Sequence, residues 1–249
     1  MIVETMTAKE IYENLASDSE KVQIRKAYYR AKAIKCLKSK TTFPALVTFD
    51  YVHPQSKNKY ILIYYAETRR NVMNPVEDHV FVQFINRVRY LYKAMGCMHH
   101  PLNGDSPQML RYLQIYTSHF MDRYHERIWV QDSISLSDVA CAFIARNRTF
   151  APVAISKEIN RNMEKYNDEF QYGYRVRDGF CFTRTGIVRS PDDESHIAVS
   201  VFKTFMNESK MQSSQLQAIN IEQLQNVDRL LSNFAENQED GVWSMTVEK

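Results

Sequence analysis

Apolar residues recur at helical spacing through the first forty residues of the chain. Ile24, Ala27, Ala31 and Ile34 are three or four positions apart, as residues on one face of an α-helix are. The pattern predicts a helix over residues 8–38, with a break where Ala, Ser and Asp occur together near residues 16–19.

Two short segments that follow are rich in β-branched and aromatic residues. Residues 45–53 (ALVTFDYVH) and 59–66 (KYILIYYA) flank the polar turn PQSKN. This arrangement predicts a β-hairpin.

Residues 76–95 carry two competing patterns. The segment HVFVQF alternates as a strand does, whereas Phe81, Phe84, Ile85, Val88 and Tyr92 fit one face of a helix. We favour a helix, because the pattern continues too far for a single strand. Gly and Asn make residues 96–106 a loop by composition.

The second half predicts further helices and strands. Ser135 and Asp138 have the spacing of a helix N-terminal cap, and DVACAFIARN continues as a helix. Two alternating strands over residues 171–184 surround an Asp-Gly pair, which is typical of a tight hairpin turn. Residues 196–204 predict another strand, and residues 212–234 a C-terminal helix.

Composition narrows the class of protein. A chain of 249 residues with 44% hydrophobic content can bury a sizeable core, and 6 Gly and 7 Pro argue against low-complexity architectures. No stretch has the roughly 20 apolar residues of a membrane helix. We therefore expect a cytoplasmic protein with no membrane partner, and the scattered cysteines predict reduced, buried thiols.

Charge is distributed unevenly along the chain. Residues 21–40 contain eight Lys or Arg and no acid, whereas residues 219–249 contain six acids. One interpretation is a solvated face of an amphipathic helix; the other is a phosphate-binding surface, with Lys21, Arg25 and Lys32 as substrate-binding residues.

The segment YTSHFMDRYHERIW (116–129) is the most informative for chemistry. In a helix, His119, Arg123 and Arg127 lie along one side, since they are four residues apart. Histidine changes charge near neutral pH, and arginine holds phosphate oxygens in paired hydrogen bonds. The combination suits RNA cleavage. The alternative is an ordinary surface helix whose arginines pair with neighbouring acids, which fits the same sequence. No histidine or cysteine spacing indicates a metal site, and no cofactor is predicted.

The order of elements also carries a family resemblance. The segment HFMDRYHERIWVQDSISLSDVACAF, followed by YGYRVRDGFCFT and HIAVSVFKT, resembles small bacterial domains of the RelE and BrnT toxin superfamily. The likeness covers residues 115–205. In that superfamily a small antiparallel sheet packs on two helices, and several members cut mRNA without a metal.

The resemblance implies a site on the motif helix and the strands after it. It assigns catalysis to His119, Arg123 and Arg127. It places Arg175 and Arg177 where basic strand residues would face RNA, and Thr204 at the end of the last strand. Tyr124, on the motif helix, is a further candidate for substrate binding. His196 is interpreted as a surface or edge residue and not as a catalytic acid.

These observations predict an α+β protein in which a small antiparallel sheet packs against helices. An N-terminal helix-hairpin-helix unit (1–108) precedes a toxin-like domain (109–210), and a C-terminal helix and tail (211–249) follow. The first hypothesis is an RNA-binding or metal-independent RNA-cleaving protein. The alternative is a non-enzymatic interaction protein of a bacterial accessory element, whose terminal helices bind a protein partner or a second copy.

Overall fold

A computed structural model describes residues 2–3, 5–85, 88–99, 108–128, 135–154, 172–190 and 193–207. The helices are α1 (Ala8–Lys38), α2 (Ser118–Arg127) and α3 (Leu136–Arg146), with a 3-10 turn at Arg69–Met73. The strands are β1 (Ala45–Val52), β2 (Lys59–Ala66), β3 (Val76–Ile85), β4 (Val88–His99), β5 (Gln108–Thr117), β6 (Ala151–Ala154), β7 (Tyr172–Val176), β8 (Gly179–Ser190) and β9 (Asp193–Met206).

The strands form one mixed sheet in the order β1-β2-β3-β4-β5-β9-β8-β7-β6. Neighbouring strands are antiparallel, except that β5 and β9 pair in parallel, with Arg111 opposite Ile197 and Tyr116 opposite Phe202. A parallel pair needs a long crossover, and here the chain between the two strands supplies α2, α3 and three strands.

Helices cover the sheet on both faces. α1 packs on one face over Leu62, Tyr64 and other apolar strand residues. α2 and α3 pack on the other, where Phe143 lies among the rings of Tyr116, Phe120, Tyr124, Phe202 and Phe205 at centroid distances of 5.0–6.5 Å. Central strands therefore have apolar residues on both sides, without a polar face.

α1 forms as predicted and continues without a break. Thr7 caps its N-terminus, and its side chain and that of Glu10 form a reciprocal capping box. The predicted interruption at residues 16–19 is absent because Asp18 is buried against the sheet. There the Asp18 carboxylate accepts hydrogen bonds from Ser56 (2.6 Å) and Tyr60 (2.7 Å).

Other local predictions are also confirmed. The hairpin β1–β2 has the predicted bounds to within a residue, and β7 and β8 form the hairpin around Asp178-Gly179. Ser135 caps α3, since its side chain accepts from the Asp138 backbone N–H. Strand β9 contains the predicted strand 196–204.

The helix predicted over residues 76–95 is wrong. The segment forms β3 and most of β4, which pair with Phe81 opposite Tyr92. The helical pattern arose because apolar residues occur on both faces: Phe81 and Ile85 contact the α1 side, whereas Val80 and Val82 face α2 and α3. Residues 96–99, predicted as loop, extend β4.

The predicted fold class is wrong for a related reason. Instead of a small antiparallel sheet with a helix-hairpin-helix extension, the described residues form a nine-stranded mixed sheet with three α-helices. The sheet continues past residue 108, because β4 pairs with β5. The proposed domain boundaries stay predictions, and the predicted helix 212–234 lies outside the described residues.

Replacing Phe143 by Ala should lower the free energy of unfolding by about 3–5 kcal/mol, because a large void opens between α3 and the sheet. Phe84→Ala is the matched control, since Phe84 is 54% exposed, and should cost less than about 1 kcal/mol. Chemical denaturation followed by circular dichroism measures both values. Equal losses would contradict a central role for Phe143.

Candidate functional site

A cleft of about 270 Å³ lies where α3 ends beside β2. Three arginines line it, Arg146, Arg148 and Arg177. The other polar residues that line it are Glu67, Asn71, Asn74 and Thr149. We call this site the arginine cleft.

The turn between β7 and β8 holds the carboxylate of Asp178 behind the cleft. Gly179 makes this turn possible: its φ is +150°, and a Cβ atom there would lie 2.4 Å from the carbonyl oxygen of Met206. Any other residue would strain the turn or push β9 away. The Asp-Gly pair in the sequence therefore determines where Asp178 lies.

Asp178 joins three elements through hydrogen bonds. The guanidinium of Arg146 donates to both carboxylate oxygens, with distances of 2.9 and 2.7 Å. Tyr124 of α2 donates its hydroxyl at 2.5 Å, and Asn147 donates at 3.0 Å. Burial alone would raise the pKa of Asp178, but the hydrogen bonds from Arg146, Tyr124 and Asn147 and the charge of Arg146 outweigh it and hold the pKa below its ordinary value. The carboxylate is thus ionised at neutral pH.

Glu67 forms the second acidic position of the same network. Arg177 donates to both of its carboxylate oxygens at 3.0 Å, and Tyr65 donates its hydroxyl at 2.5 Å. Burial acts to raise the pKa of Glu67, yet these hydrogen bonds and the charge of Arg146 lower it. Both carboxylates are therefore neutralised by arginines that line the cleft.

Arg148 is the cation left over. It is exposed, and among the residues that the structure describes it forms no ion pair or hydrogen bond. An exposed guanidinium beside two paired ones favours an added anion, because arginine can bind two oxygens of one phosphate or carboxylate group. The arrangement is suited to anion binding.

The predicted catalytic residues lie on α2, outside the set that lines the cleft. His119 is exposed. Arg123 is half-exposed and pairs with Glu126 at 2.9 Å, and Arg127 donates to the backbone carbonyl of Phe205. Burial lowers the pKa of Arg127 somewhat, and the charge of Arg123 adds to this effect.

The predicted substrate-binding residues separate into two groups. Tyr124 and Arg177 meet at the network: Tyr124 is fully buried and holds Asp178, and Arg177 lines the cleft. Arg175 is half-buried on the opposite face of β7 from Tyr174 and Val176, and Thr204 is half-buried in β9.

The basic residues predicted on α1 lie beside β1. Lys21 donates to Gln55 at 2.7 Å, and Lys32 lies 5.3 Å from the ring centre of Phe49. Arg25 stacks against Tyr28, Tyr29 and Tyr51 with its guanidinium carbon 4.9–5.7 Å from the ring centres. These contacts are those of cations packed on aromatic rings.

The sequence interpretation missed Arg146, Arg148 and Glu67. One signal was present, since Arg146-Asn147-Arg148 places two cations at the C-terminal end of a predicted helix. Nothing local connects Glu67 to them, because it is 79 residues from Arg146 in the sequence.

The described residues contain neither a metal-ion site nor a membrane-spanning helix. No group of three His, Cys, Asp or Glu in this part of the chain could hold a metal ion. No helix within the described ranges is long and apolar enough to cross a membrane.

No protein-family model matches the chain, and no curated protein or solved structure is significantly similar to it. The resemblance to the RelE and BrnT superfamily therefore stays a prediction.

Replacing Arg146 by Ala should lower the free energy of unfolding by about 3–5 kcal/mol, because Asp178 would become a buried carboxylate without its cation. Arg177→Ala is the matched control, since the Arg177 side chain is 53% exposed and its ion pair should contribute no more than about 1 kcal/mol. Urea denaturation at pH 7 compares the two variants. If Arg146→Ala cost no more than Arg177→Ala, the central role of the Arg146–Asp178 pair would be disproved.

Proposed function

We propose that the protein binds single-stranded RNA, with one phosphate group in the arginine cleft. The observation that carries the proposal is Arg148, an exposed cation beside Arg146 and Arg177. Two acids of the network at the cleft, Glu67 and Asp178, are already paired with arginines. A phosphate would thus meet an uncompensated charge and a guanidinium fork.

The surroundings of the cleft favour a chain of phosphates over a single one. Arg69 and Arg70 lie in the 3-10 turn whose Asn71 lines the cleft, and both are exposed. Arg69 donates to the backbone carbonyl of Lys40 at 3.1 Å, which places the end of α1 beside this turn. We call the exposed residues Lys35, Lys38, Lys40, Arg69 and Arg70 the basic rim.

Three residues of the basic rim, Lys35, Lys38 and Lys40, belong to the basic segment 21–40. Part of that segment therefore has a proposed role near the cleft. The adjacent acid Glu77 is paired with Arg30 at 2.6 Å, so it does not offset the rim. A rim of cations beside a narrow cleft suits a flexible single strand, because a duplex is too wide to enter a cleft of about 270 Å³.

RNA cleavage without a metal is the catalytic form of the proposal. A base removes the proton of a 2′-hydroxyl, the 2′ oxygen attacks phosphorus, and the bond to the 5′ oxygen breaks as that oxygen is protonated. The products are a 2′,3′-cyclic phosphate and a 5′-hydroxyl. His119 is the proposed acid or base, because it is exposed and histidine is the side chain that most often transfers protons in catalysis.

The arginines of α2 argue less strongly for RNA cleavage than the arginine cleft argues for RNA binding. To bind phosphate, Arg123 would have to release Glu126. This is feasible because an exposed ion pair is weak. Arg127 is held by the carbonyl of Phe205. The binding part of the proposal does not depend on either residue.

Replacing Arg148 by Glu should weaken binding of a single-stranded RNA oligonucleotide and reduce the slope of log K against log salt by roughly 0.7, since one phosphate contact is lost. Lys59→Glu is the matched control: Lys59 is exposed at the far end of β2, roughly 25 Å from Glu67. Fluorescence anisotropy at several salt concentrations measures both.

Equal effects of Arg148→Glu and Lys59→Glu would show that binding depends only on net charge and would remove the cleft from the proposal. Displacement of the RNA by millimolar inorganic phosphate would identify a site for phosphate in general. Matched DNA and duplex competitors test the preference for single-stranded RNA.

Replacing His119 by Ala should abolish RNA fragments in EDTA while gel retardation persists, because only proton transfer is lost. His125→Ala, a second histidine on α2, should keep cleavage. Fragments that survived His119→Ala would disprove its assignment. If the unmodified protein gave no fragments and no retardation, the interaction-protein alternative would be favoured.

A further inference from the structure

The two edges of the described sheet differ. β6, at one edge, is four residues long and contains Pro152, which has no backbone N–H to offer a further strand. β1, at the other edge, has eight residues, no proline and an unbroken register with β2. Short strands, prolines and bulges are usual means of blocking an exposed edge. β1 has none of these three, so its outer side is open to another strand.

Alternate residues of β1 direct their backbone groups away from β2. The His53 N–H donates to the Asn58 carbonyl at 2.9 Å, which places His53 in a hydrogen-bonded pair of the hairpin. Because such pairs alternate along antiparallel strands, the even-numbered residues from Leu46 to Val52 point their N–H and C=O groups outward. Within the described residues, β1 pairs with β2 alone. Its outer side is therefore a row of donors and acceptors without a strand to pair with.

Helix α1 follows this open edge. Arg25 stacks on Tyr51, and Lys32 lies over Phe49, so the helix runs along β1 in the opposite direction. The other flank of α1, which carries Arg30, contacts β3 instead. The flank with Arg25 and Lys32 therefore borders the open edge.

The flank of α1 beside β1 is a stripe of cations. Lys21, Arg25, Tyr28 and Lys32 recur every three or four residues, so they share one side of the helix. We call these four residues the edge stripe. Tyr28 is 70% exposed, and within the described part of the chain none of the three cations forms an ion pair. Their charges are available to an acidic partner.

The other face of the same edge is balanced in charge. A cavity of about 520 Å³ borders β1 on the side of α3. Two acids, Asp50 and Asp138, and two cations, Lys59 and Arg89, line it. Only the α1 side of the edge therefore favours acidic side chains.

We propose that an extended acidic peptide segment binds along β1 as a further strand, antiparallel to it. Successive side chains of a strand point to opposite faces, so acidic residues at alternate positions face the edge stripe, with uncharged residues between them. The backbone of the segment completes the row of hydrogen bonds along β1. This row favours a peptide over RNA, because it offers acceptors as well as donors, whereas phosphate groups only accept. The proposal does not depend on RNA binding at the arginine cleft.

The test uses a fluorescein-labelled peptide as long as β1, in which glutamate alternates with threonine or valine. Fluorescence anisotropy with the full chain should show saturable binding. The matched peptide with lysine at each glutamate position should bind roughly tenfold more weakly, because the edge stripe repels it.

Two N-methylated forms of the acidic peptide separate backbone pairing from attraction of charge, since both keep its charge. In the antiparallel arrangement the uncharged residues direct their N–H groups at β1. Methyl groups on those nitrogens should abolish binding, whereas methyl groups on the glutamate nitrogens should have little effect.

Variants of the protein locate the site. Thr48→Pro removes one outward N–H of β1 and leaves the bonds to β2 in place, so it should weaken the acidic peptide roughly fivefold. Thr48→Val keeps this N–H and is the matched control. Circular dichroism verifies that both are folded; if Thr48→Pro is not, Lys32→Glu at an exposed position should weaken the peptide roughly tenfold. Arg148→Glu should leave peptide binding unchanged, which separates this test from that of RNA binding.

Four results would overturn the proposal. The first is a lack of saturable binding by the acidic peptide. The second is equal binding of the two methylated forms, which would show that charge alone attracts the peptide. The third is undiminished binding by both Thr48→Pro and Lys32→Glu, since the site would then lie elsewhere. The fourth is loss of a single-stranded RNA oligonucleotide, but not of the peptide, in Lys32→Glu, which would assign the edge stripe to RNA.

Discussion

The two-pronged contact between Arg146 and Asp178 fixes the relation of the helical layer to the sheet. Through Asp178 it holds Tyr124 of α2 and the β7–β8 turn, and through Arg146 it reaches Tyr65 at the end of β2. Burying charged groups is costly, so the pair is stable only because every oxygen of Asp178 has a donor. The need to pair buried carboxylates therefore stabilises the fold and also places arginines at the cleft.

A sheet covered on both faces has a different chemical environment on each side. On the side of α2 and α3, helix ends and strand ends meet at the rim of the sheet, where water compensates charge and an arginine such as Arg148 stays available to an anion. On the side of α1, burial beneath a long helix keeps His79 neutral. The first environment tolerates charged groups, and the second disfavours them.

The function predicted from segment 116–129 and the function proposed for the arginine cleft both involve RNA. They depend on different residues. Segment 116–129 forms the predicted helix, yet its Tyr124 and Arg127 make contacts that stabilise the structure. Regular spacing along a helix shows which residues share a face; it does not show which of them are already satisfied by a neighbour. RNA binding therefore rests on Arg148 and the basic rim, and His119 carries only the catalytic part of the proposal.

The sequence alone determined the elements whose causes are local. The cap at Ser135, the Asp-Gly turn before β8 and the strands β1 and β2, which are rich in β-branched and aromatic residues, depend on residues within a few positions of each other. Only the tertiary structure decided that residues 76–99 are strands, because partners and cover on both faces come from distant segments. It also decided the arginine cleft, since Glu67, Arg146 and Arg177 meet through contacts across 79 and 110 residues, which no local pattern records.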